Sequence, residues 1–499
     1  MTKKSYKKLE SIFRRILILN SIDENLNWDR SVIMPSGGHD ARSDQIAEIQ
    51  ISINKLYNQK CMEDLFEDAF HVNNLDFYEN ANLREMYHLW RHNSVLSSNF
   101  VENYTRACLS CELTWRQAKI ENNYNLLKKN FNEVIYFVRE LANIKSSFLN
   151  LNPYDCLIDQ YEQGFTQSII DPIFKDIEKE LPVLIKKILN NNAKFKLLPF
   201  PVIEVDSQKS LVKFIMKKLS LDNKSFTLGA SAHPFSSGLA GDVRITTRYN
   251  IDNFLEALMG VIHETGHAIY ENNLPTNSRW QPIGRARGMV FHESQSLFYE
   301  MQIGRSREFI DFIYEFVVKF FSNLGIELSK KNLIAHIRNV SNSLIRVNAD
   351  EVTYPAHILV RYNIEKKIIN NELAFEDIPE AWSKGMEKYL GISVINDSEG
   401  CLQDIHWFCG EFGYFPTYTL GAVLAAQLFR SMEVDIPLLK NFIKAGNFKP
   451  INSWLSEKIH NKGSLLKADE LIKSITGKKL SATDYLYHLN NRYLNEVLF

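Results

Sequence analysis

Apolar residues recur at three- and four-residue spacing through most of this sequence, and that period fits little besides α-helix. Residues 8–20, 40–57, 134–149 and 306–321 show it clearly. Only 21 glycines and 14 prolines interrupt 499 residues, so the helices run long and short turns join them. No internal repeat and no low-complexity linker divides the chain. The sequence therefore predicts one large, mainly helical unit. Within it, 1–224 is a helical N-terminal part, 225–430 carries a small sheet and the chemistry, and 431–499 is a helical C-terminal part.

Composition narrows the function classes. Hydrophobic residues make up 45% and charged residues 23%, with a formal net charge of -1, as in ordinary globular proteins. Nucleic-acid binding calls for a basic excess or stripe, and none is present. Lys3-Lys4 and Lys7-Lys8 precede only a short apolar run, Ile16 to Leu19, with no small-residue cleavage site. This reads as the solvated start of a helix, not a signal peptide. No run approaches 18 apolar residues, so no membrane span is expected. The six cysteines are scattered, unlike a disulfide scaffold. Cys108 and Cys111 form a CxxC inside a helix-like stretch without a second pair, which suits reduced thiols and a cytoplasmic setting.

One segment breaks the helical pattern. Residues 225–249 hold Gly229, Gly238, Gly241, His233-Pro234 and several serines. The alternating runs Phe226-Thr227-Leu228 and Val243-Arg244-Ile245-Thr246 predict a β-hairpin or a three-stranded sheet. Such a sheet offers an edge strand that can align an extended peptide through main-chain hydrogen bonds.

The next segment carries the chemistry. Asn250, Asp252 or Asn253 can cap a helix that runs to about Asn272. Phe254, Leu255, Leu258, Met259, Ile262 and Ile269 supply its buried stripe. His263, Glu264 and His267 make an HExxH, so both imidazoles project from one helix face and can share one zinc ion. Zinc lowers the pKa of a bound water to roughly 7. Glu264 then takes its proton and passes it to a leaving amine. Gly266 beside the second ligand suggests clearance for the metal or substrate. A catalytic zinc needs a third protein ligand and an open position. Glu293, 26 residues after His267, is one choice, with His292 and Glu271 as alternatives.

Six motifs in order make the chain resemble the carboxypeptidase Taq family of metallocarboxypeptidases. They are His233-Pro234-Phe235 (HPF), Asp242 to Thr246 (DxRxT), His263 to His267 (HExxH), His292-Glu293-Ser294-Gln295 (HESQ), Ile345 to Asp350 (IRxxAD) and Gly400 to Trp407 (GxxQDxHW). Trp28-Asp29, Met34-Pro35 and Gly37-Gly38 extend the likeness toward the N-terminus. The resemblance implies a zincin-like helical body with a deep active-site groove, a small sheet beside the zinc helix, and a homodimer. It makes Glu293 the third zinc ligand and Glu264 the general base and acid. It implies release of single C-terminal residues from peptides, with broad specificity and C-terminal proline refused. Cobalt or manganese can substitute in a site of two histidines and one glutamate. Many zinc peptidases with this ligand set place an Asp four residues after the ligand Glu. Here Leu297 stands there, which leaves the carboxylate that orients a histidine unnamed.

Reading a free C-terminus calls for a guanidinium, whose fork matches a carboxylate. Arg346 is the first choice, which the resemblance also favours, and Arg244 the second, with Asp350 holding the arginine. His406 and Tyr418 are the expected oxyanion donors, separated by a segment with the look of a flexible loop, Gly410 to Tyr418; Tyr414 is the alternative tyrosine. His233 is expected to line the pocket or support the sheet. Two rival readings remain: a zinc endo- or oligopeptidase without the carboxylate clamp, and a non-catalytic helical binding protein.

Overall fold

The computed structural model describes residues 3–192, 197–220, 224–231, 234–321 and 325–496. It is mostly helical with one three-stranded sheet. The expected helical stretches fall in Lys4–Val32, His39–Tyr57, Lys128–Leu149 and Arg307–Phe320. Local signals set several helix starts. Asp76 and Glu79 form a reciprocal capping box ahead of Phe77–Ser94, and Ser306 accepts from the Phe309 amide to start Arg307–Phe320.

Buried apolar side chains gather in two clusters. One draws on Tyr6, Phe13, Phe66 and Trp90 in the N-terminal helices. The other runs from Ala107 to Leu489 and contains the core of the HExxH helix. Polar contacts sew the two together. Asn82 Nδ2 donates to Gln281 Oε1 at 2.9 Å, and Arg287 grips Glu85 with two bonds of 3.0 Å. Among the described residues, no helix is long and apolar enough to cross a membrane. Cys108 and Cys111 are free thiols within the helix Ser98–Glu121.

The sheet has three strands: β1 (Phe226–Ala230), β2 (Ser236–Leu239) and β3 (Asp242–Thr247). β3 is central, parallel to β1 and antiparallel to β2. Val243 and Ile245 point into the core, while Arg244 between them faces the other way and is half-buried. Gly238, at φ +106°, is required in β2, because a Cβ there would stand 2.0 Å from the Asp242 carbonyl oxygen. His233 lies outside the described residues.

The HExxH helix spans Phe254–Asn272. Asn253 occupies the cap position without a capping side-chain bond; instead Asn250 and Asn253 each donate to Glu256 Oε1. All six residues of the expected stripe are buried, and so are Ala257, Val261, Ala268 and Tyr270. The helix is thus enclosed on nearly every side, as a largely apolar helix should be.

Candidate metal centre and active site

His263 and His267 stand on one face of the HExxH helix, their rings 5.0 Å apart and nearly perpendicular. Glu293 arrives from the helix Met289–Leu297. Its Oε2 lies 3.9 Å from His263 Nε2 and 3.5 Å from His267 Nε2. The three ligand atoms all fall within 4.8 Å of one another. Two glycines let the helices come this close. A Cβ on Gly266 would stand 2.4 Å from the Gln295 carbonyl oxygen and 2.6 Å from Ser296 Cα. Gly266 therefore makes room for a neighbouring backbone, not for metal or substrate as the sequence suggests. From the other side, Gly421 in the helix Pro416–Asp435 lies against the stem of Glu293.

Glu300 supplies the orienting carboxylate that spacing alone does not reveal. Its Oε2 is 3.0 Å from His263 Nδ1, and its Oε1 accepts from Arg305 Nη2 at 2.8 Å. It sits in a π-helical turn, Phe298–Gly304, directly after the Glu293 helix, a device common at functional sites. With Nδ1–H directed at Glu300, Nε2 of His263 faces Glu293 and is the nitrogen that would ligate a metal on giving up its proton. His267 Nδ1 is buried without a hydrogen-bond partner, and its ring stacks on His292 at 4.3 Å. His292 Nε2 in turn meets Glu271 Oε1 at 3.1 Å, so the two alternative third ligands pair with each other.

The electrostatics fit a divalent cation. Burial disfavours charge on His263, yet Glu300, Glu293 and Glu264 outweigh it and push the imidazole up to about 10. Burial likewise disfavours charge on Glu293, but His267 and His263 pull it down to about 2. Three carboxylates surround two imidazoles in a buried site, and a cation bound by two nitrogens and one oxygen offsets that excess. Glu264 is buried and its Oε2 has no hydrogen-bond partner. Burial and the charge of Glu293 raise its pKa, against His263 and a hydrogen bond with Ser236 of β2.

A second group of residues forms around Arg346. Its Nε and Nη2 donate to Asp404 Oδ1 at 3.0 and 2.7 Å, and its Nη1 donates to the Tyr354 hydroxyl at 2.6 Å. The rings of Tyr354, Phe415 and Tyr418 flank the guanidinium at 5.3–5.7 Å. The other oxygen of Asp404 accepts from Arg361 Nε at 2.7 Å. One carboxylate thus balances two buried arginines, which leaves net positive charge for an incoming anion. Asp350 does not hold Arg346. It accepts from the backbone amides of Ser341, Val352 and Thr353, because the chain turns extended at Ala349 and carries Asp350 away. Arg244 is engaged elsewhere, paired with Asp242 at 2.8–2.9 Å and stacked over Trp28 at 5.1 Å.

Aromatic rings join the two groups. Tyr418 lies 6.0 Å from Tyr354 and 5.3 Å from Tyr414, which stacks on His406 at 5.9 Å. Burial raises the phenols of Tyr354, Tyr414 and Tyr418, and the charge of Glu293 reaches all three. Burial, with Arg346 and Arg361, pushes His406 down to about 4 against the pull of Asp404, so this imidazole is neutral near pH 7. The segment from Gly410 is anchored, in contrast to the flexible loop its glycines suggest. Gly410 O accepts from the Tyr104 hydroxyl, Gly413 N donates to Glu365 Oε2, and Tyr418 lies in the first turn of a helix. Gly413, at φ +85°, packs against the backbone of Leu157, where no side chain fits.

Residues 8–493 match the family described as Carboxypeptidase Taq (M32) metallopeptidase. Carboxypeptidase 1 of Bacillus subtilis (strain 168) is 32% identical, over 99% of this chain and 98% of its own. Thermostable carboxypeptidase 1 of Pyrococcus furiosus is also 32% identical, over 98% of both chains. Among solved structures, metallocarboxypeptidase 1 of Trypanosoma cruzi superposes with a TM-score of 0.96 at 36% identity, covering 99% of this chain and 100% of that one.

Proposed function

This chain belongs to the Carboxypeptidase Taq (M32) metallopeptidase family, and from that premise we propose a zinc-dependent carboxypeptidase that releases single C-terminal residues from peptides. The coarser part follows from the family itself: the chain is a metallocarboxypeptidase, a hydrolase acting on peptide bonds. The observation that carries the finer reading is Arg346, buried and fixed by Asp404, with Tyr354 and Tyr418 close enough to feel the charges of both Arg346 and Glu293. An anion site set beside a metal centre suits a substrate whose terminal carboxylate is one residue from the bond to be cut.

His263, His267 and Glu293 hold the cation in this reading, and two imidazoles with one carboxylate suit zinc, with cobalt or manganese as substitutes. The cation, when bound, acidifies water and polarises the scissile carbonyl. Glu264 accepts the proton from the attacking water and delivers it to the leaving amine, a task its raised pKa suits. Arg346 binds the terminal carboxylate, with Arg244 as the second choice. Tyr418 and neutral His406 donate to the oxyanion, with Tyr414 as the alternative tyrosine. Broad side-chain tolerance, refusal of C-terminal proline, a homodimer and a cytoplasmic setting complete the reading, on family resemblance.

A timed digest of a peptide mixture, read by mass spectrometry with and without a chelator, tests it. Stepwise ladders from the C-terminus that vanish with chelator are expected. Equal cleavage of a blocked dipeptide and its C-terminal amide would instead point to an endo- or oligopeptidase.

A further inference from the structure

We propose that His88, His92 and Asp159 form a second divalent-cation site, distinct from the HExxH centre, for a cation such as zinc or cobalt that favours imidazole and carboxylate. His88 and His92 lie four residues apart on the helix Phe77–Ser94 and share a face. This is the spacing of His263 and His267. Asp159 ends the helix Pro153–Asp159. Its Oδ2 is 2.9 Å from His92 Nε2 and 3.5 Å from His88 Nδ1. Two ring nitrogens on one helix thus converge on a single carboxylate oxygen, as they do at Glu293. Among the described residues, these are the two groups of three donors that meet in this way.

The surroundings prepare the three side chains as ligands. Asp159 Oδ1 accepts from the Gly164 amide at 2.7 Å, which turns Oδ2 toward the histidines. The rings stand 4.7 Å apart. Burial lowers the pKa of both imidazoles, against the pull of Asp159, and so favours the neutral form that can ligate. His92 and Asp159 are buried, while the His88 side chain keeps 16% of its surface exposed and gives a path inward.

Two features oppose cation binding and set its strength below that of the HExxH centre. The charges of Lys145 and Arg287 reach the group, although Arg287 is paired with Glu85. His92 Nδ1 is buried without a partner, whereas His263 has Glu300 behind it.

The position gives the site a consequence. His88 and His92 are carried by a helix of the N-terminal apolar cluster. Asp159 begins a strap on which Tyr161 O accepts from Met289 N at 3.1 Å and Glu162 Oε2 accepts from Val290 N at 2.6 Å. Both amides open the helix that carries Glu293. A cation here therefore pins the N-terminal helices to the support of the metal-centre helix.

Full-length protein, stripped of metal and dialysed against excess buffered zinc, tests this by bound-metal counting. Wild type is expected to take two equivalents, the second more weakly. His88→Gln should take one and keep its peptidase activity. Raising zinc beyond one equivalent should raise Tm in wild type but not in His88→Gln. Asp159→Asn, which keeps an acceptor for Gly164, should give the same single equivalent if His88→Gln does not fold. One equivalent in wild type at saturation, or two in either variant, overturns the proposal.

Discussion

His263 Nδ1 lies 3.0 Å from Glu300 Oε2, and the other oxygen of Glu300 holds Arg305. The His263 imidazole is thereby locked in ring orientation and tautomer by a carboxylate that is itself locked. Glu300→Ala should weaken zinc affinity by about 10- to 100-fold, the usual cost of losing such a partner. Glu300→Gln should lose less, since an amide oxygen still accepts from Nδ1–H. Competition with a chromophoric chelator reads both. Unchanged affinity in Glu300→Ala would mean that helix packing alone orients His263.

Gly421 gives a second test of the proposed metal centre. A Cβ there would stand 2.7 Å from Glu293 Cγ and 2.8 Å from its Cβ. The clash meets the stem of Glu293, not a flexible tip, and the Glu293 helix is backed by Gly266 on the other side. Gly421→Ala should cost about 1–3 kcal/mol of stability, as overpacking does, and should weaken metal affinity more than an Ala placed elsewhere on the same helix. Metal titration and urea unfolding separate the two effects. Wild-type affinity in a destabilised variant would show that Glu293 has slack to move.

What was legible in the sequence follows from range. Helical period, the HExxH face and its apolar stripe are local patterns, and the fold keeps them. The turn-rich segment resolves as three strands, within the alternatives its alternation allows. Glu300 escapes because α-helical spacing directs attention to Leu297, while the carboxylate lies three residues further on, inside a π-helical turn. Asp404 sits in the GxxQDxHW motif, yet its pairing with Arg346 spans 58 residues. Asp350 looks like the partner only if the chain stays helical across Ala349, where it becomes extended. Gly421 carries no signal at all, since its role depends on which helix it meets.

The clamp proposed at Arg346 predicts a split between substrates. A charge-assisted hydrogen bond contributes about 1.5–3 kcal/mol, so Arg346→Ala should raise KM for free-acid peptides by roughly ten- to a hundredfold and leave bound metal unchanged. Asp404→Ala should be worse in a different way. It leaves two buried guanidiniums without their shared carboxylate, at a cost of about 3–5 kcal/mol of stability. Steady-state kinetics and unfolding read the pair. Retained affinity for free acids in Arg346→Ala would move the clamp to Arg244.

His460 should make the fold sensitive to mild acid. It is fully buried, with Nε2 2.9 Å from Gln295 Oε1 and Nδ1 3.4 Å from Asn273 Nδ2. Burial pushes its imidazole down to about 3, whereas an unfolded histidine titrates near ~6.5. Below that value the unfolded chain binds a proton that the folded chain refuses. The stability tied to His460 is therefore complete above ~6.5 and falls by about 1.4 kcal/mol per pH unit until the folded ring titrates. Moving from pH 7 to pH 5 should cost about 2 kcal/mol through this one group. His460→Gln keeps a hydrogen-bonding side chain beside Gln295 but cannot titrate, so its loss over the same interval should be smaller by that amount. Urea unfolding of both proteins at the two pH values measures the difference. Equal losses would mean that His460 takes up its proton in the folded chain as readily as in the unfolded one.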